Sequence, residues 1–255
     1  MLKNRAFYLW FIFTLLVVGF GLYIQNQMAN NTHRTILTKQ VQQRSLDIYS
    51  FSNKGAIMGA AIQMGLTSDS VKQRIDGTIP PDDHHLKIEL ESIIQEYNAD
   101  SAFIVDRHGL VIGSRNRDPK INSFGVSVKY RPYWKRGISG VSNIYPGIST
   151  VDYERGLFFA TPIFQQQNKQ SPVIGVFVIR INASELDREL SAETQPAALT
   201  SPDGFIFASN QSDWVGKLSE KISQAQQQRL IDSQQFAGLF TKIKPSALPF
   251  QLNND

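Results

Sequence analysis

Lys129-Tyr-Arg-Pro-Tyr-Trp-Lys-Arg-Gly-Ile-Ser-Gly140 opens a stretch that runs on through Gly147-Ile-Ser-Thr150 and Arg155-Gly-Leu-Phe-Phe-Ala-Thr-Pro-Ile163. It ends in Val173-Ile-Gly-Val-Phe-Val-Ile-Arg-Ile181. The last two segments are apolar and rich in β-branched and aromatic residues, which predicts long strands over 157–164 and 173–182. The short polar loop 165–171 between them predicts antiparallel pairing. Residues 132–140 predict a short helix with proline in its first turn. Residues 183–190 predict a further turn or two of helix.

Working outward, Ala102-Phe-Ile-Val-Asp-Arg-His-Gly-Leu-Val-Ile-Gly-Ser114 reads as strand, tight turn, strand. Ala197-Ala-Leu-Thr-Ser-Pro-Asp-Gly-Phe-Ile-Phe-Ala-Ser209 aligns with it without a gap. Ala102 matches Ala197, Gly109 matches Gly204 and Ser114 matches Ser209, and the apolar positions on both arms correspond. The pattern predicts a duplicated lobe. Pro80-Pro-Asp-Asp83 is a helix-start signal, followed by Leu86, Leu90, Ile93, Ile94 and Tyr97 at helical spacing, so an amphipathic helix is expected to about residue 98. A polar helix is expected over 218–233. Strands that pair antiparallel, with helices to cover them, make an α+β plan.

The amino terminus has a different character. Residues 6–24 carry no charge and follow Lys3 and Arg5. As a helix they rise roughly 28 Å, close to the hydrocarbon thickness of a bilayer. The expectation is an uncleaved transmembrane helix with residues 1–5 in the cytoplasm and the rest of the chain outside. Residues 25–66 are polar with spaced apolar residues (Leu37, Val41, Ile48, Phe51, Ile62) and predict a long helical stalk. Gly55, Gly59 and Gly65 weaken its second half, and a break near 54–55 or 59 is expected there.

The chain has 255 residues, a net charge of +4, 42% apolar residues and no cysteine. That composition is globular, and it excludes disulfides and thiolate metal sites. No long basic run argues for nucleic acid. His33, His84, His85 and His108 have no metal-ligand spacing, and His84 and His85 read as exposed helix-start residues. Nothing in the sequence matches a nucleophile elbow, a phosphate-binding glycine loop or a metal constellation, so no catalytic residue, metal or cofactor is assigned.

These segments resemble the double Cache (double-PAS-like) extracytoplasmic sensor domains, and in particular those of the four-carbon dicarboxylate sensor histidine kinases. Arg131-Pro-Tyr-Trp134 is similar to that family's Arg-Pro-Tyr-Phe. Gly147-Ile-Ser-Thr150 stands where the family has Gly-Thr-Thr-Ser. Residues 155–163 are similar to its Arg-Gly-Tyr-Tyr-Phe-Ser-Tyr-Pro, and 176–181 to its Val-Val-Val-Lys-Val strand. The resemblance covers most of 28–238. It implies PAS-like antiparallel-sheet lobes: a complete membrane-distal lobe over 67–190 and an incomplete second lobe over 191–255. It also implies a single-pass protein of the bacterial inner membrane with a periplasmic sensor, a small anionic ligand and a homodimer through the long helix. The family's carboxy-terminal histidine kinase is not expected within these residues.

Carried over residue by residue, Arg131, Tyr133, Ser149, Thr150 and Arg180 are the expected ligand contacts. The residue types suit a dicarboxylate such as succinate, malate or fumarate. An arginine holds one carboxylate through a planar fork, a second cation meets the other end, and hydroxyls supply further donors. From Lys129 to Arg155 the charge is net +3. Strand alternation puts Arg180 beside Ile174, Val176 and Val178, and a charge on that apolar row needs a partner; Asp187 or Glu185 are candidates for it. Arg180 stands where the family has lysine. Val151-Asp-Tyr-Glu154 lengthens the following segment and brings two carboxylates near the pocket. Two rival readings remain: a chemoreceptor or diguanylate cyclase ectodomain with an amino-acid ligand, and a truncated, non-binding interaction module.

Overall fold

Alternate residues of β5 (Val173–Asn182) face opposite sides of a sheet, and both sides are buried: Phe177, Ile179 and Ile181 on one, Val176, Val178 and Arg180 on the other. In the computed structural model, which describes residues 18–28, 54–194, 196–201, 204–236 and 246–248, β5 is the central strand of five. The others are β1 (Ser101–Asp106), β2 (Val111–Asn116), β3 (Asn143–Ile148) and β4 (Arg155–Phe164). The order is β2-β1-β5-β4-β3, antiparallel throughout. The expected strands at 157–164 and 173–182 are β4 and β5.

Residues 18–28 are helical and exposed (α1). No helix among the described residues is long and apolar enough to cross a membrane. Most of the expected span at 6–24, and residues 29–53 of the expected stalk, lie outside the described residues.

Helices α2 (Lys54–Thr67), α3 (Asp69–Ile75) and α4 (His84–Glu96) cover one face of the sheet. Ile57, Ala61, Leu86, Leu90, Ile93 and Ile94 meet Ile104, Phe159, Phe177 and Ile179 there. Asp83 caps α4 by accepting from the Leu86 amide, which sets its start at the exposed His84. The other face carries α5 (Pro132–Ile138), whose Tyr133 packs with Phe103, Phe158, Val176 and Val178. Gly137 lets α5 approach: a Cβ there would lie 2.7 Å from Val176 Cγ1.

The duplicated pattern is present as two hairpins, β1–β2 and β6 (Ala198–Thr200) with β7 (Ile206–Ser209). Both turn glycines have positive φ, 82° at Gly109 and 80° at Gly204. Both hairpins carry a register shift at the matching place, between Ile104 and Val105 and between Leu199 and Thr200. The likeness extends past the hairpins. Val128 N donates to Gly109 O, and Ser219 N donates to Gly204 O. The apolar core is continuous from α2 and α4 through β4 and β5 to Phe205, Phe207, Leu218, Leu230 and Phe236.

Three local expectations change. Helix α2 runs unbroken through Gly59 and Gly65, while the break expected near 54–55 falls at the edge of the described residues. Gly65 is a contact residue: a Cβ there would lie 2.5 Å from Pro162 O. Ile174 joins the α2–α4 face and not that of Val176, because Ile163 pairs with Gly175 while Phe164 pairs with Val173. The extra residue is a bulge, and it reverses the alternation. The polar helix expected over 218–233 begins at Gln224, as α7 (Gln224–Ser233). Ser223 and Gln226 form a capping box, while Leu218 bridges Phe205 and Ala247 in extended form.

Gly65→Ala should therefore lower stability by about 1–3 kcal/mol, because the backbone of β4 blocks the new methyl. Gly59→Ala, with nothing within 4 Å, should raise it by up to about 1 kcal/mol. Denaturant midpoints of the two variants check this; equal effects would refute it.

Candidate functional site

Arg131 and Tyr133 are brought to the sheet by α5, Ser149 and Thr150 by the segment after β3, and Arg180 by β5. All five expected residues line one cavity, with Ser101, Phe103, Val128, Val151 and Phe158. Its volume is about 30 Å³, room for a water or two.

Arg180 is 6% exposed. Its aliphatic stem lies over Gly156, where a Cβ would come within 2.9 Å of Cγ. Asp187 of α6 (Ser184–Ser191), one of its expected partners, binds Arg155 instead, and the side chain of Glu185 lies outside what the structure describes. Arg180 Nη1 and Nη2 donate to Asp152 Oδ1 at 2.8 Å and Oδ2 at 2.5 Å, and Nη2 lies 3.4 Å from Asp100 Oδ2. Nε is buried without a partner. Burial works against the charge of both Arg180 and Asp152, and their mutual hydrogen bonds and attraction more than offset it. The Asp152 carboxyl is held below its ordinary range and the guanidinium above its own.

Arg131 is the N-cap residue of α5 and is 2% exposed. Its Nη2 donates to Ile148 O at 2.7 Å, and its guanidinium lies 5.7 Å from the Tyr130 ring. Nη1 is buried with no hydrogen-bond partner, and no carboxylate among the described residues lies within ion-pair distance. Tyr133 stacks on Phe158, ring centroids 4.9 Å apart, and burial pushes its hydroxyl pKa well up. It is neutral, a donor rather than a charge. Ser149 Oγ accepts from Val151 N and so shapes its own turn.

The net positive charge read over 129–155 is largely spent elsewhere. Lys129, Lys135 and Arg136 are exposed, and Arg155 is bound to Asp187 and to Phe207 O of β7. Only Arg131 of that group reaches the cavity. Sequence reasoning placed Asp152 near the pocket but missed its pairing with Arg180. It missed Asp100 altogether, whose signal was only that it precedes the strand that pairs with β5. Among the described residues no acidic, histidine or cysteine cluster could hold a metal ion.

The same architecture occurs in solved sensor domains. The histidine kinase DctB sensor domain of V. cholerae superposes with a TM-score of 0.63 at 19% identity, over 87% of this chain and 80% of that one. This is the Cache sensor-domain fold. The ligand-binding domain of the Pseudomonas aeruginosa amino acid chemoreceptor PctC, in complex with GABA, shares it with a TM-score of 0.52 at 18% identity, over 73% of this chain and 80% of that one. One curated relative, the C4-dicarboxylate transport sensor protein DctB of Pseudomonas aeruginosa, is 23% identical over 101 residues. The match covers 40% of this chain and 16% of the length of that protein. No family model matches the chain.

Replacing Asp152 strands most of a buried cation in this Cache fold. Asp152→Asn should cost about 2 kcal/mol at pH 7. The folded-state pKa is depressed, so the wild-type advantage is complete above the unfolded value of about 3.9 and fades as pH falls through the lower folded value. Denaturation of both chains from pH 7 down to pH 2 checks the sign; a gap that persists undiminished in acid would contradict it.

Proposed function

We propose that this chain is a membrane-anchored sensor ectodomain that binds a small dicarboxylate, such as succinate, malate or fumarate, between Arg131 and Arg180. The observation that carries the reading is Arg131. A guanidinium buried to 2% exposure, with an orphan nitrogen and no carboxylate partner among the described residues, is costly unless a ligand completes it. A second guanidinium lines the same cavity, and two cations on one cavity fit a ligand with two anionic ends. The likeness to DctB supports the same ligand class and a two-component, histidine kinase type of receptor.

Residues 6–24 would span the inner membrane, with residues 1–5 cytoplasmic and the chain after residue 24 periplasmic. The exposed Val18, Phe20, Leu22 and Tyr23 are suited to lipid. Residues 25–66 would be the stalk and dimer contact, 67–190 the ligand-binding lobe and 191–255 part of the second lobe.

A second reading, an amino-acid ligand, draws on one observation. Asp152 and Asp100 stand beside the Arg180 guanidinium, and a carboxylate could meet an ammonium group while Arg131 holds the acid.

Thermal unfolding of the full chain with millimolar succinate, malate, fumarate or GABA tests both readings. A ligand at 100 times its Kd should add about 2.7 kcal/mol to native stability. Arg131→Met should abolish that gain while changing the unliganded stability by no more than about 1 kcal/mol, because it removes a poorly compensated charge along with one hydrogen bond. An undiminished ligand shift in Arg131→Met would refute the pocket. A shift with GABA but none with the diacids would favour the amino-acid reading.

A further inference from the structure

The carboxylate a ligand would offer to Arg180 is already supplied by the chain. Asp152 grips Arg180 through both oxygens, in the two-pronged geometry that arginine offers to a carboxylate ligand. Both side chains are 8% exposed. Asp152 differs from its neighbours in this. Tyr153 and Glu154 on the same turn are exposed, Tyr153 at 66%.

The turn is bent to make the contact. Tyr153 has φ 61°, a left-handed conformation that a bulky side chain rarely adopts. The Glu154 amide donates to Asp152 Oδ1, and Ser149 N donates to Glu154 O, which closes a small loop around the carboxylate. The cavity left beside it, about 30 Å³, has room for a water or two, too little for a four-carbon diacid while Asp152 stays in place.

We propose that Asp152 is a tethered competitor of the ligand: its carboxylate fills the Arg180 half of the anion site, and a diacid gains Arg180 by displacing residues 151–154. The proposal rests on the dicarboxylate reading above and deepens it. During the exchange Asp100, at 3.4 Å, keeps part of the compensation of Arg180 until the ligand carboxylate supplies the rest. The ligand's other carboxylate goes to Arg131, whose Nη1 is unpartnered. A molecule with one carboxylate satisfies Arg131 but has nothing with which to replace Asp152. Asp152 is thus a specificity-determining residue that favours diacids, and it sets the threshold concentration at which the site fills.

The exchange also has a route outward. The displaced turn begins at Ile148–Ser149. Ile148 O accepts from Arg131, and Ile148 N donates to Gln235 O. Gln235 Nε2 donates to Pro146 O, and Phe236 stacks on Phe205 at 3.6 Å. Loss of Asp152 from Arg180 therefore loosens a turn that is continuous with β3, which residues 235–236 link to the β6–β7 hairpin.

The test measures calorimetric affinity of the full 255-residue chain, in detergent, for succinate, malate, fumarate and GABA, in wild type, Asp152→Asn and Glu154→Gln. If the free site is open only about 1–10% of the time, Asp152→Asn should bind a diacid at least about tenfold more tightly. Glu154→Gln should stay within about twofold of wild type. Binding by Asp152→Asn where wild type shows none would be the same result in its extreme form. Unchanged or weaker diacid binding in Asp152→Asn, or equal tightening in Glu154→Gln, overturns the proposal and leaves the carboxylate site standing. A specific loss of GABA binding in Asp152→Asn would make Asp152 an ammonium contact and overturns it too. Failure of every acid to bind either chain removes the dicarboxylate reading, and the proposal with it. Should Asp152→Asn not fold, amide exchange in the wild-type chain decides: residues 151–154 should exchange at least about tenfold faster at saturating diacid, and unchanged protection overturns the proposal.

Discussion

Two guanidinium groups are buried on the same face of one sheet, and much of the surrounding structure answers to that. Removing a cation from water costs several kcal/mol unless close partners replace the solvent. At Arg180 the replacement is nearly complete, with Asp152 in two-pronged contact and Asp100 behind it. At Arg131 it stops at one carbonyl and an aromatic ring. The face is otherwise apolar, built from Phe103, Phe158, Val176 and Val178 under Tyr133. The imbalance is therefore localised: one cation is neutralised from within the chain and the other is left incomplete, and both line the same small cavity.

What could be read from the residues was the part governed by local rules. Strands β4 and β5 come from unbroken apolar runs bounded by polar loops. Helix α5 comes from a proline in its first turn, and the two hairpin turns come from Gly109 and Gly204. Arg180 was legible as a charge on an apolar row in need of a partner. Its partner was not legible, because Asp152 reaches it from a turn between β3 and β4, and neither strand's pattern says where that turn lies against β5. Ile174 failed for a related reason: a bulge against β4 is a relation between two strands and leaves no period in either one. The start of α7 was missed although Ser223 and Gln226 form a recognisable capping box; the apolar Leu218 was counted as helix when it belongs to an extended bridge.

The two hairpins share more than their sequence alignment. Each has its register shift at the matching residue and a turn glycine with positive φ. Each accepts, at that glycine's carbonyl, the amide of a later residue. They are repeated units of local geometry that have been given different tasks. The first hairpin supplies β1, which flanks β5 and carries Ser101 opposite Arg180. The second sits where Arg155 binds Phe207 O and where Phe236 stacks on Phe205. The continuous core between them means that neither hairpin has an apolar boundary of its own.

Gly156 has a consequence for how such a site could change over time. The stem of Arg180 lies so close over it that any side chain there would push the guanidinium off the sheet. A lineage that gained a methyl at position 156 while keeping Arg180 would lose the cation's seat before gaining anything. Shortening residue 180 first would remove the contacts with its stem, but the Ile181 carbonyl would still lie 3.0 Å from a Cβ at 156. A side chain at 156 is therefore resisted by backbone as well as by Arg180. The seat of the buried Arg180 cation thus depends on a residue that carries no side chain.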